Sequence, residues 1–276
     1  MINNKIGIMQ GRLLPKLNGR FQAHPLGYWD KEFPIAETLG LDCIEFIFDH
    51  NDYMLNPIYS KKGIDAIQYN IDTTGVFVNS ICADFFMEAP FHHRNQNIVS
   101  SSQEVMIKLL KNAKILNVKD VVVPCVDQSS LKGDGLMERF INNIQIIIEE
   151  AEKQNINLSL ETDLGPKDFA ELLSELPSTK ITVNYDTGNS ASLGFNLNEE
   201  FEAYGSRISD IHIKDRTLNG GSVKLGNGDV KFENVLFAVK KINYKAPFIM
   251  QVYRDDEGLE IFKEQLKYFK EKLLTN

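Results

Sequence analysis

The chain has 276 residues, 43% hydrophobic and 25% charged, the composition of an ordinary globular protein with room for a sizeable core. Its formal net charge of -8 excludes the basic footprint that sequence-independent nucleic-acid binding needs, but leaves room for a small anion in a locally basic cleft. No run approaches the ~18 apolar residues of a membrane span. The N-terminal MINNKIGIMQ lacks a signal-peptide core, and Cys43, Cys82 and Cys125 lie far apart with no CxxC pair, so the expectation is a cytoplasmic protein with buried free thiols.

Short apolar runs alternate with helical patterns from end to end. KIGIM (5–9) reads as a strand, and 29–39 as a short helix before the strand LDCIEFI (41–47). A helix over 58–73 leads to the strand VFVNSICA (76–83). Ser101 and Glu104 have capping-box spacing, and Val105, Leu109, Leu110, Ala113 and Leu116 follow at helical intervals. VKDVVVP (118–124) is the fourth strand, 137–153 a helix, INLSLE (156–161) the fifth strand and 167–176 another helix. KITVNY (180–185), RISDIHIKD (207–215) and APFIMQVY (246–253) supply three more strands. A Gly-rich insertion, LNGGSVKLGNGD, follows the seventh strand and suits a hairpin or lid, and helices are expected at 232–242 and from Leu259 onward. Eight strand–helix units with no linker left over predict one domain over residues 1–276, an α/β fold of the single (β/α)8 TIM-barrel class. The rival doubly wound sheet calls for GxGxxG after the first strand, where this chain has MQGRLLP.

Strand alternation then sorts the side chains, because successive residues face opposite ways. If the aliphatic positions face the helices, Glu45, Glu161, Asp186, His212 and Gln251 face the barrel interior. Glu161, Asp186, His212 and Gln251 fall near the C-terminal ends of four successive strands, where TIM-barrel active sites lie. Two carboxylates, an imidazole and an amide oxygen form a mixed N/O set suited to Mn, Mg, Co or Zn. Taken singly, each has a plainer reading. Asp186 before Thr-Gly-Asn is a turn or helix cap, His212 an interior histidine and Glu161 the start of a loop. Four inward polar groups together are harder to explain by packing, since burying carboxylates without a counter-charge is costly.

LSLET (158–162), VNYDTGN (183–189), DIHIKDR (210–216) and GNGDVKF (226–232), in that order, resemble the xylose-isomerase-like barrels. That family includes sugar and sugar-phosphate isomerases and epimerases and, more distantly, a DNA-repair endonuclease. The resemblance spans essentially the whole chain. It implies that Glu161, Asp186 and His212 ligate a divalent metal, with Gln251 at the fourth ligand position. In the family's epimerases two glutamates, on strands five and eight, move a proton beside the carbonyl through a metal-held enediolate. This chain departs at three positions: Gln251 for the second glutamate, Asn189 for a frequent histidine, and Lys231 for a frequent aspartate. An amide cannot serve as a general base, so the expectation becomes a one-base mechanism through Glu161. Lys214, Glu45 or Tyr253 is then the candidate second proton donor.

Arg12, Lys214, Arg216 and Arg254 follow strands one, seven and eight, which adjoin in a closed barrel. They are either a clamp for a phosphate or carboxylate or rim charges paired with neighbouring aspartates. His92, in APFHHR after strand three, is a further candidate substrate contact. The leading expectation is a metal-dependent isomerase or epimerase acting on a small sugar or sugar phosphate. The alternatives are a lyase or dehydratase on a polyol-like substrate and a non-catalytic sugar-binding barrel. A trinuclear nuclease needs more histidines than the five present. Family members are often dimers or tetramers, so the resemblance also implies a possible homo-oligomer.

Overall fold

The computed structural model describes residues 3–275. Its eight barrel strands are β1 Ile6–Met9, β2 Cys43–Ile47, β3 Phe77–Cys82, β4 Asp120–Cys125, β5 Asn157–Thr162, β6 Ile181–Asp186, β7 Ile208–Ile213 and β8 Phe248–Met250. Every adjacent pair is parallel, and the order β1-β8-β7-β6-β5-β4-β3-β2 closes on itself. Parallel neighbours need long crossovers, and helices supply them. The outer helices are α1 Glu32–Thr38, α2 Lys61–Thr74, α3 Gln96–Ile115, α4 Leu136–Gln154, α5 Pro166–Glu175, α6 Leu197–Tyr204, α7 Phe232–Lys241 and α8 Leu259–Thr275. This is a (β/α)8 TIM barrel, as the alternating pattern predicted.

The apolar residues divide into two shells. The larger one lies between strands and helices and includes Ile44, Phe46, Leu158, Leu160, Val183, Ile211, Ile213, Phe248 and Met250. The smaller one, Met9, Cys43, Ile47, Cys82, Val122 and Ile249, fills the barrel interior. The alternation therefore assigned the faces correctly in strands two, five, six, seven and eight. All three cysteines are buried free thiols. Among the described residues no helix is long and apolar enough to cross a membrane.

Two local expectations change and one holds. Helix α3 starts before Ser101, at Gln96, with the Asn95 side chain accepting from Asn97 N–H. Its buried stripe already begins at Val99, and Ser102 Oγ donates to the Ala89 carbonyl, so Ser101 and Glu104 sit inside the helix rather than at a cap. Strand eight ends at Met250 rather than 253, because Gln251 N–H turns back to the Ile249 carbonyl at 3.0 Å. The Gly-rich insertion does fold as a hairpin, pairing Asp215–Arg216 with Ser222–Val223. The Asp215 carboxylate accepts from the N–H groups of Gly226, Gly228 and Val230 and so fixes the loop above strand seven.

Candidate active site at the barrel mouth

Register brings the polar residues together. Asp186 on β6 lies beside His212 on β7, and Glu161 on β5 stands one residue beyond the Leu160–Val183 pair. Ligand atoms of Glu161, Asp186 and His212 lie within 4.8 Å of one another, and all three residues are buried. Burial first, and then the charge of Asp186, pushes Glu161 up to about 7, against the opposing pull of His212 and Lys214.

Strong donors settle which atoms face the site. Arg12 can only donate, and its NH2 lies 3.1 Å from Gln22, so that atom of Gln22 is Oε1. Gln22 Nε2 is then left to donate to Asp84 at 2.7 Å. The Gln251 atom that meets Gln22 Oε1 must be Nε2, which turns Gln251 Oε1 toward Lys214 Nζ at 3.2 Å. The same logic fixes Asn189. Arg216 donates to its Oδ1 at 2.8 Å, so Nδ2 donates to Glu161 Oε1 at 2.6 Å. Asp186 does both jobs weighed from the sequence. Its Oδ1 caps the short helix Thr187–Leu193 through Asn189 N–H, while Oδ2 meets Lys214 Nζ at 3.2 Å.

His212 is held from below. Its Nε2 lies 2.8 Å from Glu45 Oε1, and both side chains are fully buried. Ser80 Oγ donates to the other Glu45 oxygen at 2.6 Å. Burial, and then the Glu45 charge, hold Asp210 well above the usual carboxylate range, and burial lifts Glu45 to about 7. With Nε2–H given to Glu45, the lone pair of His212 sits on Nδ1, where it accepts from Asn184 Nδ2 at 3.0 Å and lies 3.8 Å from Glu161 Oε2. Two carboxylates, an imidazole lone pair and an oriented amide oxygen are a donor set that fits a divalent cation.

The mouth opens into a cleft of about 310 Å³ lined by Glu161, Asn189, Lys214, Arg216 and Gln251 and by loop residues. Glu161, Lys214 and Gln251 therefore line the mouth as strand alternation placed them, and Arg216 joins them from beyond the end of strand seven. Four other candidates do not. Glu45 lies beneath the cleft as the partner of His212. Arg12 is buried and donates to the carbonyls of Val252 and Phe21. Arg254 is buried and donates to the Leu14 carbonyl at 2.6 Å. His92 is buried near Phe140, a residue of α4, away from the cleft. Arginines placed just after strands met unpaired backbone carbonyls of the β1 and β8 loops, which outcompeted an open mouth. Arg20, Gln22, Asp49 and Asp84, which line or adjoin the cleft, escaped notice because they sit on loops. Only Asp84 carried a signal, two positions beyond the inward Cys82.

A larger cavity of about 930 Å³ lies outside the barrel between α6 and α7. Two of its polar lining groups, Tyr185 and Ser190, both donate to the buried Glu200 behind it, which also accepts from Tyr204. The Glu161, Asp186 and His212 cluster lies at the mouth and not in this cavity.

The family model for xylose isomerase-like TIM barrels matches residues 33–272. The chain belongs to this family. L-ribulose-5-phosphate 3-epimerase UlaE of Escherichia coli (strain K12) is 23% identical over 266 residues, covering 87% of this chain and 92% of UlaE. Among solved structures, the E. coli 3-keto-D-glucoside 4-epimerase YcjR superposes with a TM-score of 0.75 at 14% identity, over 98% of this chain and 100% of that one. D-psicose 3-epimerase of Clostridium cellulolyticum H10, solved with D-tagatose, gives 0.74 at 15% identity, over 98% and 99%. At these identities the structural likeness is one of fold.

Proposed function

We propose that this member of the family is an enzyme, a divalent-metal-dependent epimerase or isomerase of a small ketose. The observation that carries the reading is the convergence of Glu161, Asp186 and His212 at the mouth, with the His212 tautomer set by Glu45. Those three residues and Gln251 Oε1 would hold the ion. A bound ion supplies Lewis-acid polarisation of a carbonyl.

The chain's own groups do the rest. Glu161, raised to about 7, is poised to take a proton near neutral pH from the carbon beside the carbonyl. The C–H pair moves into the new C=C bond of an enediolate and the proton stays on Glu161. Asn189 pins Glu161 Oε1, while Asn184 Nδ2 donates to Oε2 at 3.1 Å on the side of His212. Return of a proton to the opposite face gives the epimer, and return to the neighbouring carbon gives the isomer. Of the three second donors considered from the sequence, Glu45 is enclosed beneath His212 and Tyr253 packs toward Phe21 with ring centroids 6.4 Å apart. Lys214 alone lines the cleft, and its ammonium is the proposed donor. Gln251 acts as acceptor and ligand, not as a base.

Elemental analysis of protein purified without chelator tests the site. About one divalent ion per chain is expected, absent from Asp186→Ala and His212→Ala variants that keep their circular-dichroism spectrum. An ion retained in both variants, or none after loading with Mn or Co, would refute the ligand assignment and favour a non-catalytic binder.

A further inference from the structure

The cleft does not end at the mouth. A second compartment of about 230 Å³ adjoins it and shares three lining residues with it, Arg20, Asp49 and Asn51. Its own walls include Leu17, Leu26 and His24. His24 is 4% exposed. Its Nδ1 lies 2.9 Å from Gln10 Oε1, an atom fixed as an acceptor because Ile47 N–H also donates to it at 3.1 Å. The His24 proton is therefore on Nδ1. The Nε2 lone pair has no partner among the described residues. Burial drives the ring's pKa down to about 3, so it stays neutral and can only accept. A hydroxyl satisfies such an atom, whereas a phosphate dianion offers no proton to it.

Charge points the same way. The mouth cleft is lined by Asp49, Asp84, Glu88, Asp127 and Glu161 against Arg20, Lys214 and Arg216. An ion in the proposed metal site would be offset by Glu161 and Asp186, leaving carboxylates in excess. Each cation is already engaged: Arg20 with Asp49 at 3.0 Å, Lys214 with Asp186 at 3.2 Å, and Arg216 with Asn189 and the Gly220 carbonyl. Arg12 and Arg254 are committed to backbone carbonyls. The Arg20–Asp49 pair offers a donor and an acceptor side by side, a match for adjacent hydroxyls, and Leu17 and Leu26 give the apolar surface on which the C–H face of a sugar ring can lie.

We propose that the substrate is a neutral ketosugar carrying a second polyhydroxylated group, as in a keto-glycoside, and that this distal group occupies the compartment behind Arg20 and Asp49. The inference rests on the epimerase reading and names its substrate class; a terminal phosphate ester is the class it rejects.

The test compares three compounds with the metal-loaded protein: a free ketohexose, its 6-phosphate ester and a 3-keto-glucoside. Solvent-deuterium incorporation is followed by NMR for kcat/KM. The glycoside is expected to exceed the free ketohexose by about 10-fold or more, with the phosphate ester last and 10 mM inorganic phosphate without effect. Arg20→Met, on a half-exposed loop, and the exposed Asn51→Leu are each expected to raise KM for the glycoside more than for the free ketohexose. Preference for the ester, competition by phosphate, or no advantage of the glycoside would overturn this inference while leaving the epimerase reading intact. No exchange with any of the three would overturn both.

Discussion

Replacing Glu45 by Gln exchanges the carboxyl group beneath the proposed metal site for a neutral amide of the same shape. In the native protein His212 Nε2–H points at a carboxylate oxygen 2.8 Å away, and Ser80 donates to the other oxygen. In the variant the carbonyl oxygen can still accept from His212, provided the new amide nitrogen faces Ser80 and the hydroxyl rotates to accept from it. Geometry survives while the negative charge that raises the basicity of Nδ1 does not. Loss of such a partner typically costs about 10–100-fold in metal affinity, or ~1.4–2.7 kcal/mol. Competition between the protein and a chromophoric chelator for Co(II) measures the change directly, and the Co(II) absorption spectrum reports whether the imidazole still ligates. Ser80→Ala, which leaves the Glu45–His212 contact in place, is expected to weaken binding by no more than about 3-fold, the worth of one modest hydrogen bond. A Glu45→Gln affinity within 2-fold of the native value, with an unchanged unfolding midpoint, would show that Glu45 does not support His212 as described.

Gly188→Ala places a Cβ 2.8 Å from Lys214 Cγ, so the lysine stem must leave its position over the short helix after strand six. Turnover is expected to fall by about 10–100-fold with little loss of stability, and undiminished kcat would remove Lys214 from the proton-donor role. Arg12→Met leaves the carbonyls of Val252 and Phe21 without their guanidinium donor and Gln22 Oε1 with Gln251 Nε2 as its remaining donor, an expected loss of about 3 kcal/mol in urea unfolding. A selective rise in KM for phosphorylated sugars with native stability would instead restore Arg12 as an anion clamp. Burial lifts Glu32 to about 7, although both oxygens accept backbone N–H groups, from Gly11 and Leu13. Because its folded pKa lies above the unfolded one, its contribution to stability is complete below pH ~4.5 and is lost as pH rises through about 7. Glu32→Gln, in which an amide N–H must face a backbone N–H, is expected to be less stable at pH 4 but to lose that part of the pH slope. A native-like slope in the variant's urea midpoints between pH 4 and 8 would refute the assignment.

Much of this molecule is legible in its residue order. Period-2 alternation in LSLE, VNYD and DIHIK placed Glu161, Asp186 and His212 on one face because helix-covered strands leave little freedom about which face is aliphatic. The same rule put Glu45 inside, but not at which height. Depth depends on barrel stagger, which sequence spacing within one strand does not carry. The loops were the least readable. Arg12 and Arg254 look like anion ligands by position, yet loop carbonyls claim them. Arg20 and Asp49 reach the cleft through turns with no periodic signal. The orientation of Gln251, which decides whether its oxygen or its nitrogen faces the lysine, depends on a chain of donors from Arg12 through Gln22 that joins residues more than two hundred positions apart.

The most direct measurement of the central claim is solvent-deuterium incorporation into a ketose by the metal-loaded protein, followed by NMR beside Glu161→Gln. The account predicts deuterium at the carbon next to the carbonyl with the skeleton unchanged, and a rate lowered by about 10²–10⁴-fold in the variant. Loss of water from the sugar, exchange undiminished in Glu161→Gln, or no exchange while one divalent ion is bound per chain would contradict it.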